Sequence, residues 1–150
     1  MKDKILLFIA QGFGTGQLPK MPGTWGTLVG IPFYWLMHDL SLMSYLAITI
    51  LFFIFGCWLC GQASKQLGQH DHPSIVWDEI VGFLFTMVAV PYGWGWIIAG
   101  FLLFRLFDIW KPWPIAWADK QIKGGTGVMV DDVIAAIYAC IVLHILVFLV

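Results

Sequence analysis

Charge is what this sequence has least of. Only 11% of its 150 residues are Asp, Glu, Lys or Arg, against roughly 25% in a soluble globular domain. The net charge is -1, and the absence of a basic field excludes the electrostatic footprint of a nucleic-acid binder. Three cysteines, Cys57, Cys60 and Cys140, are too few and too scattered for a disulfide framework or a zinc site. Cys57 and Cys60 have CxxC spacing inside an apolar run, which reads as helix packing ahead of redox or metal chemistry. There is no Cys-x₅-Arg, no Asp-x-Asp-x-Thr and no Gly-x-Ser-x-Gly, so no covalent cysteine, aspartyl or serine-elbow mechanism is signalled. No linker, repeat or low-complexity stretch divides the chain, and a single domain over residues 1–150 is expected. The start, Met1-Lys2-Asp3-Lys4, is followed by six apolar residues. That is short for a signal-peptide core, so a retained N-terminus is expected.

What remains is oil: 60% of residues are hydrophobic and 17% aromatic. Residues 40–64 contain no Asp, Glu, Lys or Arg over 25 positions, more than the ~20 that a crossing helix needs. Residues 21–38 and 133–150 are also free of these four types, as are residues 80–104. The last run is interrupted by Pro91-Tyr92-Gly93-Trp94-Gly95, which is turn chemistry. A helical hairpin with arms 74–90 and 94–110 is expected, each of 17 residues and about 25 Å long. The run from Thr24 to Met37 is short enough to be re-entrant or tilted. The expected fold is all-α: a polytopic membrane bundle of about five short spans or re-entrant helices.

Alternating these runs across a bilayer puts all eight Lys and Arg residues, and every acid but Asp39, on or near one side. The positive-inside rule makes that side cytoplasmic. Tyr34, Trp35, Tyr45, Tyr92, Trp94 and Trp96 fit an outer aromatic belt, and Trp25, Trp77, Trp110, Trp113 and Trp117 an inner one.

Three charged clusters converge on the inner face: Asp78-Glu79, Arg105 with Asp108, and Asp131-Asp132 at the expected start of the last helix. Arg105 and Asp108 are spaced i,i+3 and share a helix face. Adjacent helical residues point about 100° apart, so each acidic pair can aim one carboxylate inward and one sideways. Five carboxylates against Arg105 and Lys111 would repel one another. A divalent cation resolves that conflict, and hard carboxylate oxygens suit Mg²⁺. Read singly, Asp131 and Asp132 are equally well explained as helix-terminal acids. The whole set is not, because ionisable groups at membrane depth mark function.

Two glycine-rich stretches, Pro22-Gly23-Thr24-Trp25-Gly26-Thr27 and Gly124-Gly125-Thr126-Gly127, read as loops leading into helices on the same face. Their backbone N–H groups could cradle phosphate; equally, their small residues could serve helix packing. Neither has the Gly-Lys-Ser/Thr ending of a P-loop. His70-Asp71-His72 precedes the first acidic pair and favours capping or support over metal ligation. Ala135, Ala136 and Ala139 read as packing residues.

These motifs resemble the phosphatidylglycerophosphatase A family. The resemblance rests on residues 22–27, on residues 70–79 (His-Asp-His-Pro-Ser-Ile-Val-Trp-Asp-Glu), on residues 104–114 (Phe-Arg-Leu-Phe-Asp-Ile-Trp-Lys-Pro-Trp-Pro) and on residues 124–132 (Gly-Gly-Thr-Gly-Val-Met-Val-Asp-Asp). Ala136 departs from the pattern, where a glycine is expected. The resemblance implies a helical, Mg²⁺-dependent enzyme of the bacterial inner membrane that dephosphorylates phosphatidylglycerophosphate to phosphatidylglycerol.

The combined expectation is that Asp78, Glu79, Asp108, Asp131 and Asp132 carry catalysis and hold one or two Mg²⁺. Arg105 and Lys111 grip the substrate phosphate, with Thr24, Thr27, Gly125 and Thr126 completing the cradle. A metal-activated water is the preferred nucleophile. The alternatives are a small ion or proton transporter using the membrane-edge carboxylates, and an assembly subunit whose acids dock a partner.

Overall fold

A computed structural model describes residues 1–150. It contains seven α-helices and no strand. In chain order they are α1 (Lys2–Ala10), α2 (Pro22–Met37), α3 (Leu42–Leu67), α4 (Trp77–Thr86), α5 (Trp94–Trp110), α6 (Ile115–Gln121) and α7 (Gly124–Leu149), with a 3₁₀ turn at Thr15–Gln17. The all-helical expectation holds.

The two longest helices, α3 and α7, have 26 residues each, about 39 Å at 1.5 Å per residue. Both are long and apolar enough to cross a bilayer. α3 starts with the Ser41 hydroxyl accepting the Ser44 N–H at 3.2 Å and stops at Gly68, whose φ of 71° is a left-handed C-cap. Leu51, Ile54 and Trp58 on α3, Ile98, Leu102, Leu106 and Ile109 on α5, and Ile137, Ile141 and Ile145 on α7 are exposed. Their spacing of three or four residues draws an apolar stripe along each helix, a surface suited to lipid contact.

The shortest central helix has the opposite surface. Along α4, Trp77, Asp78, Ile80, Val81, Gly82, Phe83, Leu84 and Thr86 are buried. α2, α3, α5 and α7 all pack against it. Close contacts at glycines seat it: a Cβ at Gly30 of α2 would meet the Phe83 ring at 3.1 Å. Val76, just ahead of α4, donates its N–H to the Ala10 carbonyl at 2.9 Å. The side chain of Gln11 donates to the Ser74 hydroxyl at 2.9 Å. The N-terminal segment thereby fixes the entry of α4.

Several expectations need correction. The first hairpin arm, expected at 74–90, is helical only over the 10 residues of α4, about 15 Å, half of a membrane. Residues 74–76 are tied to the N-terminal segment instead. At the other end the chain leaves the helix before Val90, which precedes Pro91 and is disfavoured in the α region. The glycine-rich stretches are helical first turns, not loops. Pro22 opens α2 at a position where its missing N–H costs nothing. Asp131 and Asp132 therefore lie two turns inside α7, not at its start. Trp77, Tyr34 and Tyr45 are buried, not in aromatic belts. The Trp77 indole donates to the Phe52 carbonyl at 3.1 Å, and the Tyr45 hydroxyl to the Leu84 carbonyl at 2.5 Å. Ala135, Ala136 and Ala139 are fully buried against Phe104 and Ile115, so the alanine at position 136 is a packing residue.

Candidate functional site

The first turn of α4 brings Asp78 and Glu79 to the middle of the bundle, and α7 brings Asp132 opposite them. One carboxylate oxygen from each lies within 4.8 Å of the other two. Asp78 and Asp132 are buried, and the Glu79 side chain is 13% exposed. Asp78 Oδ1, Glu79 Oε2 and Asp132 Oδ2 are all buried with no hydrogen-bond partner in the protein. Three unpaired carboxylate oxygens this close would be costly on their own. The donor set suits a hard divalent cation, for which three anionic oxygens facing one point are ligands and not liabilities.

Arg105 on α5 flanks this triad. Its Nη1 lies 4.0 Å from Glu79 Oε1, and the same nitrogen donates to Asp108 one turn on. Its Nε is buried and unpartnered. Gly23 in the first turn of α2 closes the same corner. A Cβ there would sit 2.8 Å from Glu79 Oε1 and 3.0 Å from Arg105 Nη1. Glycine is what lets α2 approach the charged groups.

A second acidic group lies alongside. Asp71, Asp119 and Asp131 also bring carboxylate oxygens within 4.8 Å of one another, but here the protein supplies its own cation. Lys111 donates to Asp131 Oδ2 at 2.9 Å and lies 3.8 Å from Asp119. Burial pulls the Lys111 ammonium down, yet Asp131 and Asp119 outweigh it and leave its pKa above the ordinary lysine value. Burial pushes the Asp71 carboxyl above the usual range, with Lys111 pulling the other way. Asp131 and Asp132 thus face different groups, as their 100° separation on a helix dictates.

The structure brings together Asp78, Glu79, Arg105, Asp108, Lys111, Asp131 and Asp132. The remaining expected residues are placed less centrally. Thr27 is buried and turns its hydroxyl back to the Gly23 carbonyl at 2.8 Å. Thr24 is half-buried next to Gly23, in the α2 turn at the site. Gly125 is pressed against the Cys57 carbonyl of α3, and it precedes Asp132 by two turns, about 10 Å along the axis. Thr126 is exposed, with its side chain beside Cys57. His72 accepts the Ser74 N–H at 3.1 Å through Nδ1, supporting the segment before α4. Cys60 is buried with its sulfur 3.9 Å from that of Met129, a packing contact.

Sequence reasoning missed Asp71 and Asp119. Asp71 stood inside His70-Asp71-His72 but was overshadowed by its neighbours. Asp119 lies on α6, which no apolar run announced. With them, seven carboxylates face two cations, Arg105 and Lys111.

The chain is matched among known proteins. Residues 8–147 fit the family described as PgpA: Phosphatidylglycerophosphatase A. The chain belongs to the phosphatidylglycerophosphatase A family. It is 45% identical over 137 residues to an Escherichia coli protein of that name, covering 91% of this chain and 80% of that protein. It is 48% identical over 136 residues to the Haemophilus influenzae phosphatidylglycerophosphatase A, covering 89% and 83%. A Bacteroides thetaiotaomicron relative, 38% identical over 145 residues and covering 91% and 90%, is provisionally named a phosphatidylinositol-3-phosphatase. No solved structure matches the chain. In this member of the phosphatidylglycerophosphatase A family, the matched span contains every charged residue of both acidic groups.

Proposed function

We propose that this chain hydrolyses the terminal phosphate monoester of phosphatidylglycerophosphate, giving phosphatidylglycerol and inorganic phosphate. Membership of the family supports the reaction. The observation that carries the site assignment is the gathering of Asp78, Glu79 and Asp132, which bring one carboxylate oxygen each within 4.8 Å of the others and each keep a buried oxygen without a hydrogen-bond partner.

Asp78, Glu79 and Asp132 would hold the divalent cation, with Asp108 and Asp131 closing the site on the α5 and α7 sides. When bound, Mg²⁺ supplies charge neutralisation and Lewis acidity for phosphoryl transfer. Arg105 is placed to grip phosphoryl oxygens, being already oriented by Asp108 and Glu79. Lys111 adds a second positive charge while held by Asp131. Gly23 brings the first turn of α2, with Thr24, against Arg105 and Glu79. Water would add to phosphorus while a carboxylate of the cluster takes its proton, the ester P–O bond breaks, and that proton passes to the departing ester oxygen, leaving the lipid alcohol and inorganic phosphate.

We place the enzyme in the bacterial inner membrane with the site facing the cytoplasm. The gathering of basic residues at one end supports this orientation. In this reading α2, α3, α5 and α7 lie across or tilted in the bilayer, and α4 is re-entrant. Ser74, Ile75 and Val76 at its start are enclosed by protein, as non-helical backbone at membrane depth requires, whereas Ala89, Pro91 and Tyr92 after its end are exposed. A lipid phosphate then reaches the carboxylates from the inner leaflet.

Phosphate release from short-chain phosphatidylglycerophosphate by the purified chain tests the reading. Release is expected with Mg²⁺, none is expected with chelator, and Asp108→Asn and Asp132→Asn are expected to be inactive but folded. Faster release from phosphatidylinositol 3-phosphate than from phosphatidylglycerophosphate would reassign the substrate. Full activity of Asp132→Asn would overturn the site.

A further inference from the structure

An open cavity of about 480 Å³ lies between the C-terminal turns of α3 and the N-terminus of α7. Its lining includes Gln62, Ser64, Lys65, Gln69 and His70, and no carboxylate. That absence stands out in a chain where seven of nine acids crowd the neighbouring site. No side chain caps α7, so its first-turn N–H groups at Gly124 and Gly125 carry the positive end of a 26-residue helix into this space. A second observation points to a ligand. Ser64 is only 8% exposed, and its hydroxyl is buried with no partner in the protein. Cys57, Gly61 and Ser64 are spaced i, i+4, i+7 and so form one stripe on α3. Gly61 and Cys57 touch Gly125, and Ser64 lines the same cavity.

A second cavity borders this one. A groove of about 440 Å³ between α1 and α3 shares Trp58 and Gln62 with it. The groove is lined mainly by apolar side chains, among them Ile5, Leu6, Ile9 and Phe55, with Lys2 and Asp3 also in its lining. A polar, acid-free pocket beside an apolar groove suits a headgroup in one and a chain laid along the other. Its polar end lies at the last turns of α3, where the helix meets the membrane–water boundary.

We infer that this pair of cavities binds an anionic phospholipid, with the headgroup phosphate among Lys65, Ser64 and the α7 N-terminus and an acyl chain along the α1–α3 groove. The site is separate from Asp132, because Gly125 precedes it by two helical turns, and no carboxylate lines the headgroup pocket. It requires no metal and does not depend on the proposed reaction.

The test uses the full-length protein, delipidated in detergent with chelator present, so that no turnover occurs. Binding of phosphatidylglycerol is compared with that of diacylglycerol carrying the same chains, by native mass spectrometry, with inorganic phosphate as competitor. The wild type is expected to prefer phosphatidylglycerol by about tenfold or more, the value of one charge-assisted phosphate contact. Asp132→Asn should keep that preference, while Lys65→Glu should lose it without a fall in Tm. Gln62→Glu, at the junction of the two cavities, should lose it as well. The inference is overturned if Lys65→Glu and Gln62→Glu both keep the preference, or if Asp132→Asn loses it. It is also overturned if inorganic phosphate displaces the lipid at equal concentration, which would make this a free-phosphate site.

Discussion

The two acidic groups of this protein have the same count of carboxylates and opposite electrostatic solutions. Asp71, Asp119 and Asp131 are neutralised from within by Lys111. They come from a loop, a short helix and a long helix, and two of them are partly exposed. Asp78, Glu79 and Asp132 come from two packed helices. Each has a buried oxygen with nothing to bond. Arg105, the nearest cation, lies at 4.0 Å from Glu79 and is engaged by Asp108. In the first group the ion pairs are internal to the chain. The second has no cation in direct contact except Arg105 at its edge, and its buried oxygens are what the proposed divalent cation would neutralise.

The largest effect expected from breaking this contrast is at Asp132. Asp132→Asn should lower phosphate release by on the order of 10²–10³-fold, typical for removing one group that stabilises transition-state charge. The same substitution should raise Tm in chelator, because it relieves repulsion among unpaired carboxylates. Loss of activity together with loss of stability would mean that Asp132 belongs with the internally paired acids.

Lys111→Met should act in the opposite sense. Unpairing Asp131, whose side chain is 3% exposed, should cost about 1–3 kcal/mol in denaturant unfolding. Adding Asp131→Asn should recover part of that loss. No recovery would show that Lys111 contributes through its contact with substrate alone.

Gly23→Ala and Gly26→Ala sharpen the comparison at the helix that borders it. A methyl at Gly23 meets Glu79 and Arg105, whereas one at Gly26 meets Val76. Gly23→Ala should lower kcat/KM by about tenfold, about 1.4 kcal/mol of transition-state stabilisation, at nearly constant Tm. Gly26→Ala should lower Tm instead. The smallest effect belongs to Asp119→Asn, a partly exposed partner at 3.8 Å from Lys111. Stability should change by less than about 1 kcal/mol.

Most of the site was legible because charge is scarce. In an oily chain, Asp78, Glu79, Arg105, Asp108, Lys111, Asp131 and Asp132 had to be gathered, and they are. Helical geometry also foretold that Asp131 and Asp132 would face different ways. Asp71 and Asp119 were not legible, because their position depends on a loop and on α6, a seven-residue helix without an apolar run. The fold was legible where length decides: α3 follows its charge-free stretch closely and α5 matches the expected arm 94–110, while α7 contains the last run but starts earlier, at Gly124. It was misread where tertiary contacts decide. α4 ends early because the N-terminal segment and the residues before Pro91 claim its flanks. The glycine stretches are helical because close approach to α3 and to the charged corner, not flexibility, is what their missing side chains provide.

The central claim is that Asp78, Glu79 and Asp132 form a divalent-cation site distinct in kind from the Lys111 network. Thermal unfolding of the purified protein in detergent, with chelator and with increasing Mg²⁺, tests it most directly and does not depend on turnover. Saturation at 100 times Kd should stabilise the wild type by about 2.7 kcal/mol. Asp132→Asn should show no such rise, and Asp119→Asn should keep it. Equal stabilisation of Asp132→Asn and wild type would contradict the assignment.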